Sequence, residues 1–458
     1  MMLTVTNPYD GSEVAKVPLV DAAGLDAAAE RAQTAFQTTR NIPRFERAQL
    51  LLAIAEGLKR RRDEFARTIV AEAGKPITLA EIEVDRAIIS FTNAAEESRS
   101  GHGETLDIDG YPTGRGHVGF VRRFPIGVIY GITPFNFPLN LVAHKVAPAI
   151  ATGNTIIIKP SPRTPLSAIK LVELLAECGA PEGQVQVVVC PNDLAMRLVE
   201  DERIRHVSFT GSDVIGWQIK QRAGTRRVTL ELGGNAALIV HSDADITAAA
   251  SAAAAGAFGY AGQSCISVQR MIVHESIYPD FRSTLSNHIK LNIKVGDPRD
   301  RSVHVGPMID AAALARVRAM VDEALKAGGK LVVGGEASGP CMYPTVLEHV
   351  NLKAPICATE LFAPVATLHR YRTFEEAIEM ANDTPFGLQA GVFTRDIARA
   401  WQAFESLDVG GVMINQSPTW RVESMPYGGV KRSGFGREGI RWAMEEMTEL
   451  RTLVMKVN

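Results

Sequence analysis

The stretch GVIYGI at residues 127–132 is a short apolar run rich in β-branched side chains. Four runs of the same kind follow it along the chain: TIIIKP, VQVVVC, HVSFTG and AALIV. Residues 163–178 and 192–201, which lie between them, have the spacing of amphipathic helices. Apolar strands that alternate with helices are typical of parallel βαβ units. The sequence therefore predicts a doubly wound α/β sheet.

A second α/β series continues the chain. Its apolar runs are QRMIVHE, KLVVGG, PVATLHRY, GLQAGVFT and GGVMINQ, and a long helix is predicted over residues 311–328. We therefore expect two α/β lobes, with the crossing between them near residues 228–262. Residues 21–38 and 44–74 have helical spacing and lie before the first strand of the sheet. The alanine-rich residues 247–256 contain no proline and predict a tightly packed helix.

The composition excludes several classes of protein. Of the 458 residues, 46% are hydrophobic and 22% are charged, and the formal net charge is -2. Such a balance offers no basic surface for nucleic acid. We expect no secretory signal and no membrane span, because the first residues lack a basic segment before an apolar run and no long apolar run follows. The five cysteines have no Cys-x-x-Cys spacing, which favours a reducing, cytoplasmic location and no metal site.

Two segments are candidates for self-association. Residues 106–124 have glycine and proline near their middle and predict a protruding hairpin. The C-terminal TLVMKVN predicts a short strand with no obvious partner nearby. Because unpaired edge strands invite pairing with another chain, we expect a homodimer or a homotetramer.

Polar residues follow several of the predicted strands. Asn136 lies in the turn PFNFP, where its amide can donate to a developing oxyanion or can merely stabilise its own turn. Lys159 closes a strand at its carboxyl end, where α/β sheets bind ligands, and it can reach a ribose or a phosphate or can remain a solvated lysine. Gly211 and Ser212 open a helix, which suits either a phosphate site or an ordinary N-cap.

Two further motifs carry reactive groups. Glu231 lies in TLELGG, where burial would raise its pKa toward that of a general base, or where an arginine would pair with it. Cys265 follows the small-residue turn GQS, and such a thiol is either a reactive nucleophile or a small buried side chain. Glu360 and Phe362 offer a hydroxyl-binding carboxylate and an aromatic wall. The residues alone leave each of these alternatives open.

The ordered set of motifs resembles the aldehyde dehydrogenase superfamily over essentially the whole chain. The matching segments are PFNFP, KPSPRTP, FTGS, LELGG, GQSC, ELFAPV, FGLQAGVFT and PYGGVKRSGFGRE. The resemblance implies a Rossmann-type cofactor domain (residues 1–105 and 125–230), an α/β catalytic domain (231–427) and a small β oligomerisation element (106–124 and 440–458). It also implies NAD(P)-dependent oxidation of an aldehyde to a carboxylic acid.

The resemblance assigns a role to each site residue. Cys265 would attack the aldehyde to give a thiohemiacetal and then a thioester. Asn136 would bind the oxyanion, and Glu231 would activate the water that hydrolyses the thioester. The residues implied to bind the cofactor are Thr133, Pro134, Lys159, Ser161, Arg163, Gly211, Ser212, Leu232, Gly233, Glu360 and Phe362.

One position departs from the family pattern. Many members that prefer NAD carry a glutamate three residues after the lysine of KPS, and here that position is Pro162, beside Arg163. Nothing at Pro162 would repel a 2′-phosphate, while Lys159 and Arg163 could attract one. We therefore expect NADP to be accepted at least as well as NAD.

The substrate is implied less directly. The residues expected to line the aldehyde tunnel are Asn140, His144, Arg421 and Arg99. They favour a short polar or anionic aldehyde, such as lactaldehyde, glyceraldehyde 3-phosphate, phosphonoacetaldehyde or a semialdehyde, and the resemblance is closest to the lactaldehyde and phosphonoacetaldehyde branch. Arg421 could instead brace its own loop by pairing with Glu423 or Glu438.

Two other functions remain alternatives. A CoA-acylating dehydrogenase would pass the acyl group to CoA rather than to water, but such relatives usually lack the base that Glu231 supplies. A non-catalytic binding member of the family would not need Cys265, Asn136 and Glu231 together.

Overall fold

The computed structural model describes residues 1–101 and 103–457. Its first lobe is built on a six-stranded sheet, in which five strands are parallel and one short strand runs antiparallel at an edge. Across the sheet the strands are Gly434–Phe435, Arg227–Glu231, Ile204–Thr210, Val128–Ile132, Thr155–Lys159 and Val185–Val187. The apolar runs predict four of the parallel strands correctly, while the fifth run, Ala236–Val240, belongs to the second sheet.

Helices surround the first sheet. Those that precede its first strand include Arg62–Ala73, which ends at Gly74 in the left-handed conformation (φ 63°), as the sequence predicts. The helices of this lobe are Ala22–Thr39, Arg44–Arg60, Arg62–Ala73, Ile77–Ser100, Asn140–Thr152, Leu166–Glu177, Asn192–Glu200, Asp213–Arg222 and Ile440–Glu446. Within the described part of the chain, no helix combines the length and the apolar character needed to cross a bilayer.

The second lobe is built on a seven-stranded sheet, and six of its strands are parallel. In order, the strands are Lys330–Val333, Thr345–Glu348, Val365–Tyr371, Val268–His274, Ala236–Val240, Gln389–Phe393 and Gly411–Ile414. Its helices are Ile246–Phe258, Tyr278–Asn292, Ala311–Lys326, Pro355–Ala358, Phe374–Asn382 and Ile397–Ser406. The predicted α/β fold with two lobes is therefore confirmed.

The alanine-rich segment forms the helix Ile246–Phe258, as predicted. The Asp245 carboxylate accepts a hydrogen bond from the N–H of Ala248 and so caps its first turn. Small side chains let this helix pack closely, and a Cβ at Gly256 would lie only 2.1 Å from Ser417 Oγ. Close packing here matters because the turn that carries Cys265 follows directly.

A three-stranded antiparallel sheet joins segments from distant parts of the chain. The strand His117–Pro125 pairs with Glu104–Leu106 on one side and with Thr448–Lys456 on the other. The C-terminal strand therefore has a partner within the chain, but its outer edge is unpaired among the described residues and carries the exposed side chains of Leu450 and Leu453.

Short two-stranded pairs complete the fold. They are Met2–Thr6 with Glu13–Pro18, Ala337–Ser338 with Cys341–Met342, and Phe386–Gly387 with Val430–Lys431. The domain boundaries given above stay a prediction, and two of their residues, His102 and Asn458, lie outside the described part of the chain.

One connection places the functional groups. The strand Arg227–Glu231 of the first sheet is followed, after the four residues LGGN, by the strand Ala236–Val240 of the second. The carboxyl ends of the first sheet's strands therefore meet the amino ends of the second sheet's strands. Several residues at those ends line the crevice between the two lobes.

Candidate active site

The crevice begins at a reversal of strand order in the first sheet. The strands Val128–Ile132 and Ile204–Thr210 are neighbours in the sheet. The strand that follows the first in sequence, Thr155–Lys159, lies on one side of this pair, and the strand that follows the second, Arg227–Glu231, lies on the other side. In open α/β sheets, ligands bind outside the carboxyl ends of strands at such a point. Here those ends carry Asn136 and its turn from one strand and Gly211 and Ser212 from the other.

A cavity of about 480 Å³ occupies this crevice. Both lobes line it, and its wall brings together many of the residues singled out from the sequence. Those residues are Pro134, Asn136, Asn140, Gly211, Ser212, Glu231, Leu232, Gly233, Cys265, Glu360, Phe362 and Arg421. Additional wall residues, which the sequence analysis did not single out, include Lys75, Glu83, Arg86 and Tyr427, and Glu438 lies on the wall as well.

Cys265 is held by a tightly turned backbone. Tyr260 and Ala261 have φ of 52° and 53°, which side-chain-bearing residues seldom adopt, and Gly262 follows at 64°. A Cβ at Gly262 would lie 2.2 Å from the carbonyl oxygen of Ala363, so glycine is required there. The buried amide of Gln263 then locks the turn, since its Oε1 accepts from the N–H of Ile309 at 2.9 Å.

Asn136 lies against the same turn. Its Nδ2 donates to the carbonyl oxygen of Gln263 at 3.0 Å, and its Oδ1 is buried without a partner. A carboxamide nitrogen carries two N–H groups, so one remains to donate into the cavity beside Cys265. This arrangement suits an oxyanion-binding group more than a residue that merely stabilises its own turn.

Glu231 ends its strand with both carboxylate oxygens buried and without a hydrogen-bond partner. Burial raises its pKa well above the ordinary value, and the nearby carboxylate of Glu438 adds to this rise. Gly428 permits the C-terminal loop to lie close to Glu231, because a Cβ at position 428 would be 2.8 Å from Glu231 Oε1. Glu231 therefore favours its protonated form more strongly than an exposed glutamate does.

Glu438 favours its charged form because Lys145 and His144 lie beside it. Burial alone would raise its pKa, but Lys145 and His144 hold the pKa below its usual range. The Nζ of Lys145 donates to Glu438 Oε1 at 2.5 Å and to the hydroxyls of Ser208 and Thr210 at 2.9 Å. A fully buried lysine thus stabilises the carboxylate that lies beside Glu231.

The cofactor side of the cavity is shaped by small residues. Ser212 precedes the helix Asp213–Arg222, whose first N–H groups and positive dipole end suit a phosphate group. A Cβ at Gly233 would lie 2.6 Å from Glu360 Oε2, so a side chain at this position would displace the Glu360 carboxylate. The other oxygen, Glu360 Oε1, accepts from the N–H of Gly234 at 3.0 Å, and burial raises the pKa of this carboxyl to about 7.

Four residues expected to bind the cofactor follow the same sheet edge but lie outside the cavity wall. They are Thr133, Lys159, Ser161 and Arg163. Lys159 Nζ donates to Asn192 Oδ1 at 2.6 Å, and Arg163 forms an ion pair with Asp310 at 2.9 Å. Lys159 is buried, whereas Arg163 is exposed, and their roles toward the cofactor stay predictions.

Two expected substrate residues are corrected. Arg99 lies at the exposed end of the helix Ile77–Ser100, about 20 Å along the axis from Arg86, which does reach the cavity wall. His144 is buried behind the wall rather than on it, because its Nε2 bonds to a carboxylate oxygen of Glu423.

Arg421 lies on the wall without a direct ion pair. Among the described residues, no salt bridge joins it to Glu423 or Glu438, so it does not brace its loop in the expected way. Its Nη2 instead donates to His144 Nδ1 at 3.2 Å, and its Nε is buried without a partner. Glu423 pairs with Arg86 at 2.5 Å.

Asn140, the remaining expected substrate residue, begins the helix Asn140–Thr152 on the cavity wall. Glu83 holds the start of this helix, since its Oε1 accepts from the N–H groups of Leu139 and Asn140 at 2.9 and 3.1 Å. Glu83 also pairs with the buried Lys75. Within the part of the chain that is described, no cluster of three His, Cys, Asp or Glu side chains is placed to hold a metal ion.

Comparisons with known proteins identify the family of the chain. The profile of the Aldehyde dehydrogenase family matches residues 1–453. A 3-sulfolactaldehyde dehydrogenase from Priestia aryabhattai is 39% identical over 456 residues, which are 99% of this chain and 95% of that relative. The crystal structure of aldehyde dehydrogenase 21 from Physcomitrella patens, in complex with the reaction product succinate, is similar with a TM-score of 0.96 and 41% identity, covering 100% and 95% of the two chains.

A second solved structure is the glyceraldehyde-3-phosphate dehydrogenase GapN from Methanocaldococcus jannaschii, complexed with NADP. It has a TM-score of 0.95 and 38% identity, and the match covers 99% of each chain. The profile match spans nearly the whole chain, and the two lobes meet in the crevice that holds Cys265, Asn136 and Glu231. The chain belongs to the aldehyde dehydrogenase family of oxidoreductases.

Proposed function

We propose that this enzyme oxidises a short aldehyde that carries an anionic group to the corresponding carboxylate, with NAD(P) as the oxidant. The observation that carries the proposal is a single cavity whose wall includes Cys265, Asn136 and Glu231 together with Arg421. The first three supply chemistry at a carbonyl carbon. The fourth supplies a positive wall for the rest of the substrate.

The chain's own residues divide the reaction between them. The Cys265 sulfur forms a bond to the aldehyde carbon, and the Asn136 amide donates to the oxygen that becomes negative. A bound nicotinamide would supply the acceptor for the hydride of this carbon, and the Cys265 sulfur would then hold the acyl group as a thioester. Glu231, once deprotonated, takes a proton from the water that adds to the thioester, and the carbon–sulfur bond then breaks.

The anionic preference rests on the charges of the wall. Arg421 and Arg86 both lie on the cavity wall, and among the described residues only Arg86 forms a direct ion pair with Glu423. The Nε of Arg421 is buried and unpartnered, which is costly unless a ligand accepts from it. Guanidinium groups bind carboxylate, sulfonate and phosphate oxygens well. The sulfolactaldehyde dehydrogenase and the succinate complex among the relatives support the same class of substrate.

Water is the proposed acceptor of the acyl group, rather than CoA. The free oxygens of Glu231 lie in the same cavity as Cys265, which suits a base that serves the thioester. Formation of NAD(P)H without added CoA separates the two reactions, because a CoA-acylating enzyme would stop after one turnover.

The proposed cofactor is NAD or NADP, with NADP accepted at least as well. Pro162 puts no carboxylate near the carboxyl edge of the first sheet, and Lys159 lies there as a cation. The NADP complex of the relative from Methanocaldococcus jannaschii supports this use. Arg163 contributes to a 2′-phosphate site only if it leaves Asp310, its partner in the structure.

We also propose that the enzyme is a homodimer or homotetramer in the cytoplasm. The unpaired outer edge of Thr448–Lys456 and the exposed Leu450 and Leu453 support self-association. The five cysteines are all free, which fits a reducing compartment. Light scattering of the full chain measures the assembly directly, and a monomer at micromolar concentration would contradict it.

The substrate class is tested with matched aldehydes and matched arginines. Succinate semialdehyde and butanal have the same number of carbons, but only the first carries a carboxylate. We expect Arg421→Met to raise KM for succinate semialdehyde by about tenfold or more and to leave KM for butanal nearly unchanged. Arg86→Met should act in the same direction, while Arg99→Met, on the same helix but outside the cavity, should change neither value. If Arg421→Met raises KM equally for both aldehydes, the anionic preference is contradicted.

A further inference from the structure

The sulfur of Cys265 has a phenolic hydroxyl as its neighbour. The distance from Cys265 Sγ to Tyr427 Oη is 3.1 Å, and Tyr427 is the only hydrogen-bond partner of this sulfur among the described residues. The tyrosine ring is buried and packs with Ile266 and Leu388 around the thiol. The hydroxyl therefore has little freedom to point elsewhere.

The backbone of Tyr427 is equally constrained. Its N–H donates to the carbonyl oxygen of Glu438 at 3.0 Å, and the N–H of Glu438 donates back to the carbonyl of Tyr427 at 2.7 Å. This pair of bonds joins the two arms of the C-terminal loop. The hydroxyl is thus positioned from both its ring and its main chain, as a group that acts on a neighbour requires.

The guanidinium of Arg421 lies over the ring of Tyr427, with its central carbon 3.7 Å from the ring centroid. A cation over the face of an aromatic ring is attracted to the π electrons and withdraws density from them. A phenol whose ring is polarised in this way is a stronger hydrogen-bond donor. His144 fixes the guanidinium at this place through the contact of 3.2 Å.

We propose that the Tyr427 hydroxyl donates a hydrogen bond to the Cys265 thiolate and is a further catalytic residue of the enzyme, with Arg421 strengthening the donor through the ring. This inference rests on the proposed role of Cys265 as nucleophile. Sulfur that is hydrogen-bonded in this way is stabilised as the anion that attacks the substrate.

The charges around the thiol show why a donor is needed. Burial raises the pKa of the Cys265 thiol to about 12, and the carboxyl groups of Glu360 and Glu231 add to the rise. Tyr427 and Arg421 are the groups that act in the opposite direction. Removal of the hydroxyl therefore leaves Arg421 as the group that opposes the effect of burial on the thiolate.

The test is the rate of alkylation of Cys265 by iodoacetamide as a function of pH, which needs no aldehyde and no turnover. Tyr427→Phe keeps the ring and its packing but removes the hydroxyl. Since a hydrogen bond to a charged group contributes roughly 1.5–3 kcal/mol, we expect the rate at pH 8 to fall by roughly 10- to 100-fold. kcat/KM should fall with it, while KM changes little. An unchanged alkylation profile would overturn the proposal.

Tyr371→Phe is the matched control. This substitution also removes a buried tyrosine hydroxyl, whose partner is His241 Nδ1 at 2.7 Å. Tyr371, however, lies in the second sheet and is not part of the cavity wall. Its alkylation profile should match that of the unmodified enzyme. If Tyr427→Phe fails to fold, site-specific 3,5-difluorotyrosine at position 427 replaces it as the test, because a more acidic phenol should accelerate alkylation.

Two variants together distinguish a failure of the proposed role of Tyr427 from a failure of the proposed function. If Cys265→Ala retains turnover, the role of Cys265 as nucleophile fails, whatever the alkylation profile of Tyr427→Phe. If Cys265→Ala is inactive but Tyr427→Phe alkylates and turns over normally, only the role of the hydroxyl fails.

Discussion

Lys145 donates to Glu438 through a contact of 2.5 Å between Nζ and Oε1, although the two residues are 293 positions apart in the chain. The pair is buried beside Glu231, so the charge of Glu438 acts directly on that carboxyl. Glu438→Gln removes a negative charge from the neighbourhood of Glu231 and leaves Lys145 uncompensated. Both changes lower the pKa of Glu231, and the acid limb of the kcat profile should move to lower pH.

The measurement is kcat against pH for the Glu438→Gln variant. Glu446→Gln is the control, because Glu446 lies on the same C-terminal segment and its pKa is also raised by burial, but it is absent from the cavity wall. A limb that stays in place in Glu438→Gln while activity persists would show that the two carboxyls do not interact during turnover.

Glu231→Gln should separate the two halves of the reaction. The amide cannot take a proton from water, so the thioester should accumulate after the hydride has left. General-base catalysis contributes about 10²–10⁴-fold, and we expect kcat to fall by that amount. Rapid mixing should still show a burst of reduced cofactor of about one per Cys265. Loss of the burst together with kcat would assign Glu231 to an earlier step.

Pro162→Glu should change the choice of cofactor. A glutamate at this position would repel a 2′-phosphate and accept from a 2′-hydroxyl, so kcat/KM with NADP should fall by about tenfold or more relative to NAD. Pro162→Gln, which adds a similar side chain without the charge, is the control. If the native enzyme already favours NAD by more than about a hundredfold in kcat/KM, the expectation for NADP is wrong.

The stability of the chain should depend on pH through Glu72. This buried carboxyl accepts from the N–H groups of Leu166 and Ser167 at the start of a helix, and burial raises its pKa to about 7. Between about pH 4.5 and pH 7 the folded chain holds this proton and the unfolded chain does not. The free energy of unfolding contributed here therefore falls as pH rises through that range, by roughly 3 kcal/mol in all.

Urea denaturation of the native chain and of Glu72→Gln at pH 5 and pH 7.5 checks this dependence. The amide keeps an oxygen that accepts from the helix but does not titrate in this range. The stability of the native chain relative to the variant should decline from the lower to the higher pH. Parallel values at both pH values would show that Glu72 titrates in its ordinary range.

The sequence predicts the fold well because the spacing of apolar residues and the local composition determine helices and strands over short segments. The apolar runs mark strands in both sheets, and Gly74 marks a helix end. The exception is Ala236–Val240, which continues the rhythm of the first series but pairs in the second sheet. Strand character is local, whereas the choice of sheet depends on pairing with distant strands, here Val268–His274 and Gln389–Phe393, and no short pattern carries that information.

The site is predicted less evenly, for a related reason. Arg99 and Arg86 are both on one helix, and only the packing of that helix decides which of them faces the cavity. His144 has the spacing of a lining residue, but its partner Glu423 draws it behind the wall. Tyr427 is part of the motif PYGG, and nothing in that motif indicates a contact with Cys265, which lies 162 residues earlier in the chain. The roles of the remaining site residues stay predictions.

The contact between Cys265 and Tyr427 spans 162 residues of the chain. At about 5–20 residues per second, the ribosome makes Tyr427 roughly ten to thirty seconds after it has made Cys265. Throughout that interval the thiol exists without its hydroxyl partner, and Glu231 exists without Glu438 and the strand Gly434–Phe435. The environment of the Cys265 thiol is therefore completed only when almost the whole chain has been made.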